Sequence, residues 1–275
     1  MDAPNVLLIT IDSLRYDHLG CYGYHRNTSP NIDALASRGV KFTQAISNGG
    51  QTPQSFPSIM ASALPSLERN EGKAILHRST TLAQVLKKYG YHTAGFHSNP
   101  HLSHLLNYNI GFDLFYDSLQ QFTPKGLRLW VRNKAKSQGG LVAKAADRAS
   151  FMLKPLFSRV LTRPIVSAEE ITSKSLQWLG STPGKFFLWF HYMDVHHPYM
   201  PAAKYLNEFC NNSVSRRQMN ILWRKMLIKP EEISTTEKKI LIDLYDADIK
   251  YTDEVIGSLL NKLGSRLDNT IVIIT

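Results

Sequence analysis

The strongest constraint on the fold lies at the start of the chain, where Asn5 to Ile11 reads NVLLITI, an unbroken apolar run rich in β-branched residues. Such a run predicts a strand buried on both faces, because a strand with one wet face would alternate apolar and polar positions. Similar short runs recur at Val40 to Ile46, His92 to His97, Lys185 to Phe190 and Thr270 to Thr275, and they too read as strands. Helical patterns lie between them. Ser79 or Thr80 can cap a helix over Leu82 to Tyr89 with Gly90 as its stop, and Ser167 with Glu170 has the spacing of a capping box. The longest helix is predicted from about Thr235 to Leu263, with Ile240, Leu241, Leu244, Ile249, Val255, Ile256, Leu259 and Leu260 on its apolar side. Strands alternating with helices predict an α/β fold, a mixed and mainly parallel sheet between helical layers, with ligands collecting at the carboxyl ends of the strands.

At 275 residues and 43% hydrophobic content, one large domain over 1–275 is expected. No apolar run approaches the roughly 20 residues that cross a bilayer, and the first strand starts too early for a signal helix, so a cytoplasmic location is expected. Cys21 and Cys210 are too few for a disulfide framework and read as thiols. The net charge of +10 is concentrated: Lys125 to Arg163 holds ten basic residues against the single acid Asp147. That segment, 125–163, reads as a basic, largely helical insertion that either meets an anionic surface or simply faces water. With the rest of the chain almost neutral, no nucleic-acid partner is expected. The region from Asn211 to Glu232 gives no placement.

Chemistry is expected at the rim. Asp12 follows the first strand directly, as either a turn cap or a metal ligand. Ser55, in Ser55-Phe56-Pro57-Ser58-Ile59, precedes a proline suited to a first helical turn, and reads as an N-cap or as a hydroxyl beside amides that favour an anion. His97 and Asn99 follow the strand at His92, where Asn99 is a turn residue before Pro100 or a neutral donor to substrate. His191-Tyr-Met-Asp-Val-His196-His197-Pro198 follows the strand at Lys185, with His196 in a proline-rich loop and His191 read as structural.

The order of these segments resembles the sulfatase family of the alkaline phosphatase superfamily. The opening from Asn5 to Gly23, followed by Thr28-Ser-Pro-Asn-Ile-Asp33, is similar to the start of sulfatases, and Ser55 to Ile59 is similar to their nucleophile motif except that Ile59 replaces an Arg. Gly90 to Ala94, Gly111-Phe-Asp113 and the segment ending at Pro198 continue the resemblance over all but 125–163 and 211–232.

The resemblance implies a metal-dependent sulfuric ester hydrolase with Ser55 as nucleophile, His196 contacting the ester oxygen, Asn99 and His97 at the substrate, and Asp12 on a divalent metal. Ca²⁺ or Mg²⁺ would suit an oxygen-rich site and Mn²⁺ or Zn²⁺ one with added histidines. Family nucleophiles are oxidised to formylglycine, whereas Ile59 and the absence of the family's sulfate-binding Lys argue against that conversion of Ser55. The implied substrate is a small-molecule or saccharide sulfate or phosphate ester. The alternatives are a phosphodiesterase, phosphatase or phosphotransferase using unmodified Ser55, and a non-catalytic or incomplete fragment. Ser13 stands where many sulfatases have a second acidic ligand, and Asp268 to Thr275 resembles the strand that leads to their remaining metal ligands. The chain is thus expected to be incomplete at its C-terminus.

Overall fold

A computed structural model describes residues 3–64, 79–118, 166–210 and 213–275, together with the backbone of a two-residue ladder at Arg69–Asn70 and Lys73–Ala74. The basic insertion over 125–163 lies outside the described residues. Five strands form the main sheet: β1 (Asn5–Ile11), β2 (His92–His97), β3 (Leu114–Asp117), β4 (Phe186–Tyr192) and β5 (Thr270–Ile274). Their order is β3-β2-β4-β1-β5, and every pairing in this sheet is parallel. The apolar opening run is therefore next to the middle of the sheet, as its composition requires, and five of its seven residues are buried in an unbroken stretch.

Alternation along the strands divides the interior in two. Leu7, Ile9, Ile11, Ala94, Phe96, Leu188 and Phe190 face one side. There they meet Ile171 and Leu179 of α4 (Ala168–Ser181) and Ile249, Ile256, Leu259 and Leu263 of α7 (Thr235–Leu263). Leu8, Phe187 and Trp189 face the other, against Phe56 and Met60 of α2 (Thr52–Ala61) and Ala83 of α3 (Leu82–Lys88). A smaller apolar cluster joins Tyr205 and Leu206 of α5 (Ala203–Phe209), Met219 of α6 (Arg216–Ile228) and Leu244 of α7.

The long helix has the bounds that its periodicity predicts, closed at its start by a capping box between Ser234 and Glu237. Several other expectations are corrected. Val40 to Ile46 is not a strand: it pairs with neither edge strand, β3 or β5, and Val40 and Ile46 are 82% and 88% exposed. Its backbone is tied instead to the loop before α1 (Pro30–Ala36), with Lys41 Nζ donating to the Cys21 carbonyl and Tyr22 Oη to that of Phe42. α3 is capped by Thr81, in a box with Gln84, rather than by Ser79 or Thr80. β4 runs two residues further than Phe190, which brings His191 into the strand. The unplaced region contains α6, capped by a Ser215–Gln218 box. No disulfide joins Cys21 and Cys210.

Two devices on α7 fix the segments after β1. Asp253, buried within the helix, accepts from the backbone amides of Asn31 and Ile32 and so caps α1 from outside. Asp246 accepts from His18 Nδ1, Tyr24 Oη and Arg26, with Arg26 also bound to Asp243. Buried carboxylates would be costly if left unpaired, so these contacts hold the 13–33 segment in one arrangement. The loop leading to β3 is fixed similarly: Thr81 Oγ1 donates to the Ile110 carbonyl and Thr93 Oγ1 to that of Gly111. Gly111 has φ +95°, and a Cβ there would lie 2.4 Å from the Gln84 backbone nitrogen. Gly111→Ala combines left-handed strain with a backbone clash, and should destabilise the fold by more than about 1 kcal/mol in chemical denaturation.

Candidate functional site

The carboxyl rim is assembled by backbone pairing before any side chain takes part. The Asp12 amide donates to the Tyr192 carbonyl at 2.9 Å, which places the residue after β1 beside the end of β4. The turn that follows is braced from α7, because Tyr245 Oη donates to the Ser13 carbonyl and accepts from the Arg15 amide. Ser13 itself has φ 61°, the left-handed conformation of a tight turn.

The Asp12 carboxylate is the centre of the site. Its Oδ2 accepts from Asn99 Nδ2 at 3.0 Å and Thr52 Oγ1 at 3.2 Å, and it lies 3.3 Å from His191 Nε2. Its Oδ1 accepts from Ser13 Oγ at 3.1 Å. Burial alone would raise the pKa of Asp12. Contact with the His191 ring when it is protonated, the charge of His196 and the Ser13 hydroxyl together outweigh it and hold the group well below the usual carboxylate range. An ionised carboxylate at this rim is what a hard divalent cation requires.

Ser55 lies in the first turn of α2 but is not its N-cap. The cap is Gln51, the helix starts at Thr52, and Pro57 falls inside the helix rather than in its first turn. Pro53 has no amide hydrogen, and the amides of Gln54 and Ser55 both donate to the Gln51 carbonyl, so fewer donors are open to an anion than the motif predicts. The half-buried Ser55 hydroxyl rests on that carbonyl too, at 3.3 Å. Thr52, one turn nearer the end, is the hydroxyl that touches Asp12.

Asn99 and His97 part company at the end of β2. The Asn99 carbonyl oxygen accepts from the His101 amide, which turns its NH₂ group onto Asp12, Thr52 and His191. His97 is fully buried, stacked at 5.7 Å on Trp189 and packed on Phe115, and neither ring nitrogen has a partner of good geometry among the described residues. Burial, then the charge of His191, pulls its pKa down to about 3. It lines the aromatic layer beneath α2 rather than the open rim.

The loop after β4 brings His196 and His197 toward Asp12, their rings stacked at 4.2 Å. His196 Nδ1 is 2.6 Å from the His197 carbonyl. A carbonyl only accepts, so Nδ1 carries a hydrogen and Nε2 is the nitrogen left for chemistry. Burial and the charge of His196 lower the pKa of His197, with Asp12 acting in the opposite sense.

The same loop is tied to α4 by Asp194, which accepts from the Ala168 amide, and to α7 by Asp248, which accepts from the Met200 amide. A cavity of about 380 Å³ opens between them, lined also by Glu169, Arg216 and Tyr251. Burial raises both acids, Asp194 to about 7, and the charge of Asp194 adds to the shift on Asp248.

The sequence did not single out Thr52, and it read His191, which reaches Asp12, as structural. The Thr-Pro dipeptide at a helix start was a readable signal for the first. The second depends on where β4 ends.

A divalent ion fits the Asp12 carboxylate, but no group of three or more His, Cys, Asp and Glu side chains among the described residues is arranged to hold one. Asp12 would be its ligand here, and its shell is not completed by the described residues.

Related sequences and similar folds are found among known proteins. The family profile described as Sulfatase matches residues 4–275. Human arylsulfatase D is 36% identical over 136 residues, 41% of this chain and 23% of the relative. The uncharacterized sulfatase YidJ of Escherichia coli K12 is 24% identical over 306 aligned residues, covering 100% of this chain and 57% of its own length. Among solved structures, the phosphonate monoester hydrolase of Agrobacterium radiobacter superimposes with a TM-score of 0.67 at 18% identity, covering 98% of this chain and 62% of that one. BT4656, solved in complex with its substrate D-glucosamine-2-N,6-O-disulfate, gives 0.65 at 16% identity, covering 99% and 65%. The chain thus spans less than two thirds of the length of each.

Asp194 generates a prediction with a definite sign. Its folded pKa is raised, so between about pH 4 and 7 the folded state binds more protons than the unfolded one, and stability falls as pH rises through that window. Asp194→Asn should flatten the fall, read as a smaller difference in urea midpoint between pH 5 and pH 8.

Proposed function

The chain belongs to the sulfatase family, and from that premise we propose that it is a metal-dependent sulfuric ester hydrolase with Ser55 as its nucleophile. The observation that carries the reading is the meeting of Asp12 with the first turn of α2, through the 3.2 Å contact of Thr52, on the rim where His196 also acts on Asp12. A metal held by Asp12 would neutralise the oxygens of the bound sulfate and favour an oxyanion on the nucleophile. The remaining roles fall to this chain's own side chains. From the first turn of α2, where the positive end of the helix favours the anion, the nucleophilic oxygen at position 55, that of the hydrated aldehyde in this reading, attacks the sulfur and displaces the ester oxygen. His196 Nε2 delivers a proton to the departing ester oxygen, its ring oriented by the Nδ1 contact to the His197 carbonyl. The substrate class is a sulfate ester of a small molecule or saccharide, in keeping with the glucosamine disulfate bound by one structural neighbour.

A second reading is a phosphodiesterase or phosphatase that uses unmodified Ser55. It is favoured by Asn99, a neutral residue whose amide already serves Asp12 and His191 where many sulfatases have a sulfate-binding lysine. Mass spectrometry of the Ser55 peptide separates the two: an aldehyde in place of the hydroxyl supports the sulfatase, and an unaltered serine with turnover of a phosphate diester supports the other.

Both readings place the reacting oxygen at position 55. Ser55→Ala should cut turnover of an aryl ester by at least about a thousandfold with the fold intact, whereas Thr52→Ala should cost only several-fold through looser Asp12. The reverse ranking in steady-state kinetics would transfer the nucleophile to Thr52. Asp12→Ala should abolish measurable divalent-metal binding in calorimetry, because a methyl group cannot replace a carboxylate donor.

A further inference from the structure

His191 is fully buried, and its two ring nitrogens face different problems. Nδ1 is 2.9 Å from Thr10 Oγ1, which also lies 2.9 Å from the Phe190 carbonyl and 3.1 Å from Trp189 Nε1. The carbonyl can only accept and the indole can only donate, so the single Thr10 hydrogen goes to Phe190. Nδ1 must then carry the hydrogen in its contact with Thr10, and in the neutral ring Nε2 is the acceptor.

That acceptor faces Asn99 Nδ2 at 3.2 Å and Asp12 Oδ2 at 3.3 Å. The orientation of the Asn99 amide is set independently, because its oxygen accepts from the His101 amide at 2.9 Å. One Asn99 hydrogen therefore serves His191 Nε2 and the other Asp12 Oδ2. The acceptor–acceptor approach of ring and carboxylate is bridged by a donor that belongs to neither. Thr52 supplies a further hydrogen to the same oxygen, which leaves Oδ1, with Ser13 as its one side-chain donor among the described residues, as the oxygen with a lone pair for an ion.

From this network we infer that His191 is a positioning residue for the metal centre: acting through Asn99, it clamps Oδ2 of Asp12 and so presents Oδ1 to the cation. The inference rests on the reading of Asp12 as a metal ligand. It gives Asn99 an anchoring role in place of a substrate contact. It also accounts for a polar chain of Trp189, Thr10 and His191 in the aromatic layer, where apolar residues would otherwise pack as well: Thr10 fixes the ring so that its acceptor nitrogen points at the rim.

The test is Mn²⁺ binding to the full natural protein, followed by electron paramagnetic resonance titration, with circular dichroism and thermal melting to establish that each variant is folded. His191→Asn can keep the contact to Thr10 but has no acceptor at the Nε2 position, and it should weaken Mn²⁺ by at least about tenfold, the size of effect typical of a lost outer partner. His191→Gln can place an amide oxygen where Nε2 lies and should restore most of the affinity. Asn99→Leu, at the other end of the same hydrogen bond, should reproduce the loss. Equal affinity in the natural protein and His191→Asn, or an equal loss in His191→Asn and His191→Gln, would overturn the clamp, the second outcome leaving His191 only a packing role. Asp12→Ala separates the two levels of inference. Lost Mn²⁺ binding there with unchanged affinity in His191→Asn discards the clamp alone, whereas unchanged binding in Asp12→Ala discards the metal reading and the clamp together.

Discussion

Everything at the rim depends on the parallel pairing of β1 with β4. Ile11 lies opposite Tyr192 in that ladder, and the Asp12 amide closes it by donating to the Tyr192 carbonyl. One register shift would turn every side chain of β1 to the other face of the sheet. Asp12 would then leave the side that holds α2, Asn99 and His191. The register is fixed by burial on both faces, since Leu7 and Ile9 fill one apolar cluster and Leu8 the other. The carboxylate is thus placed by the hydrophobic core, and the polar contacts around it refine a position already set.

The helix α7 supplies the second layer of constraint. Its buried residues include Asp243, Asp246 and Asp253, which a helix covered only by apolar neighbours could not tolerate. All three are matched to donors in the 18–32 segment, and Tyr245 holds both sides of the turn after Asp12. Loss of one partner would leave a buried charge without compensation, so the segment after β1 has a single low-energy path. A long excursion of the chain is converted in this way into a rigid wall of the site.

Around Asp12 the chain uses neutral donors where a cation might have stood. Asn99, Thr52 and Ser13 each donate to the carboxylate, and these hydrogen bonds favour its ionised form. Hydroxyl and amide donors orient the oxygens without cancelling their charge, so the carboxylate keeps its affinity for an added divalent ion. A lysine at Asn99 would form an ion pair with Asp12 and compete for it.

What the sequence by itself determined was whatever follows from local pattern. The all-apolar run at Asn5, the periodicity from Thr235 to Leu263 and the cap at Ser167 needed no partner to be read, because burial on two faces, a 3.6-residue repeat and an orphan amide are properties of a segment. Asp12 could be placed on the rim for the same reason, as the first polar residue beyond a buried strand. The tertiary structure alone decided the rest. Val40 to Ile46 has the composition of a strand, but it pairs with no strand of the sheet and stays largely exposed. His97 and His191 are both histidines at the ends of neighbouring strands, paired in register, yet one is packed among aromatic rings with no hydrogen bond of good geometry among the described residues and the other reaches Asp12. Thr52 rather than Ser55 touches the carboxylate because α2 begins one turn earlier than its proline at position 57 implies. Each of these outcomes depends on which groups a fold 275 residues long brings within about 3 Å, the range of a hydrogen bond, and spacing along the chain does not contain that information.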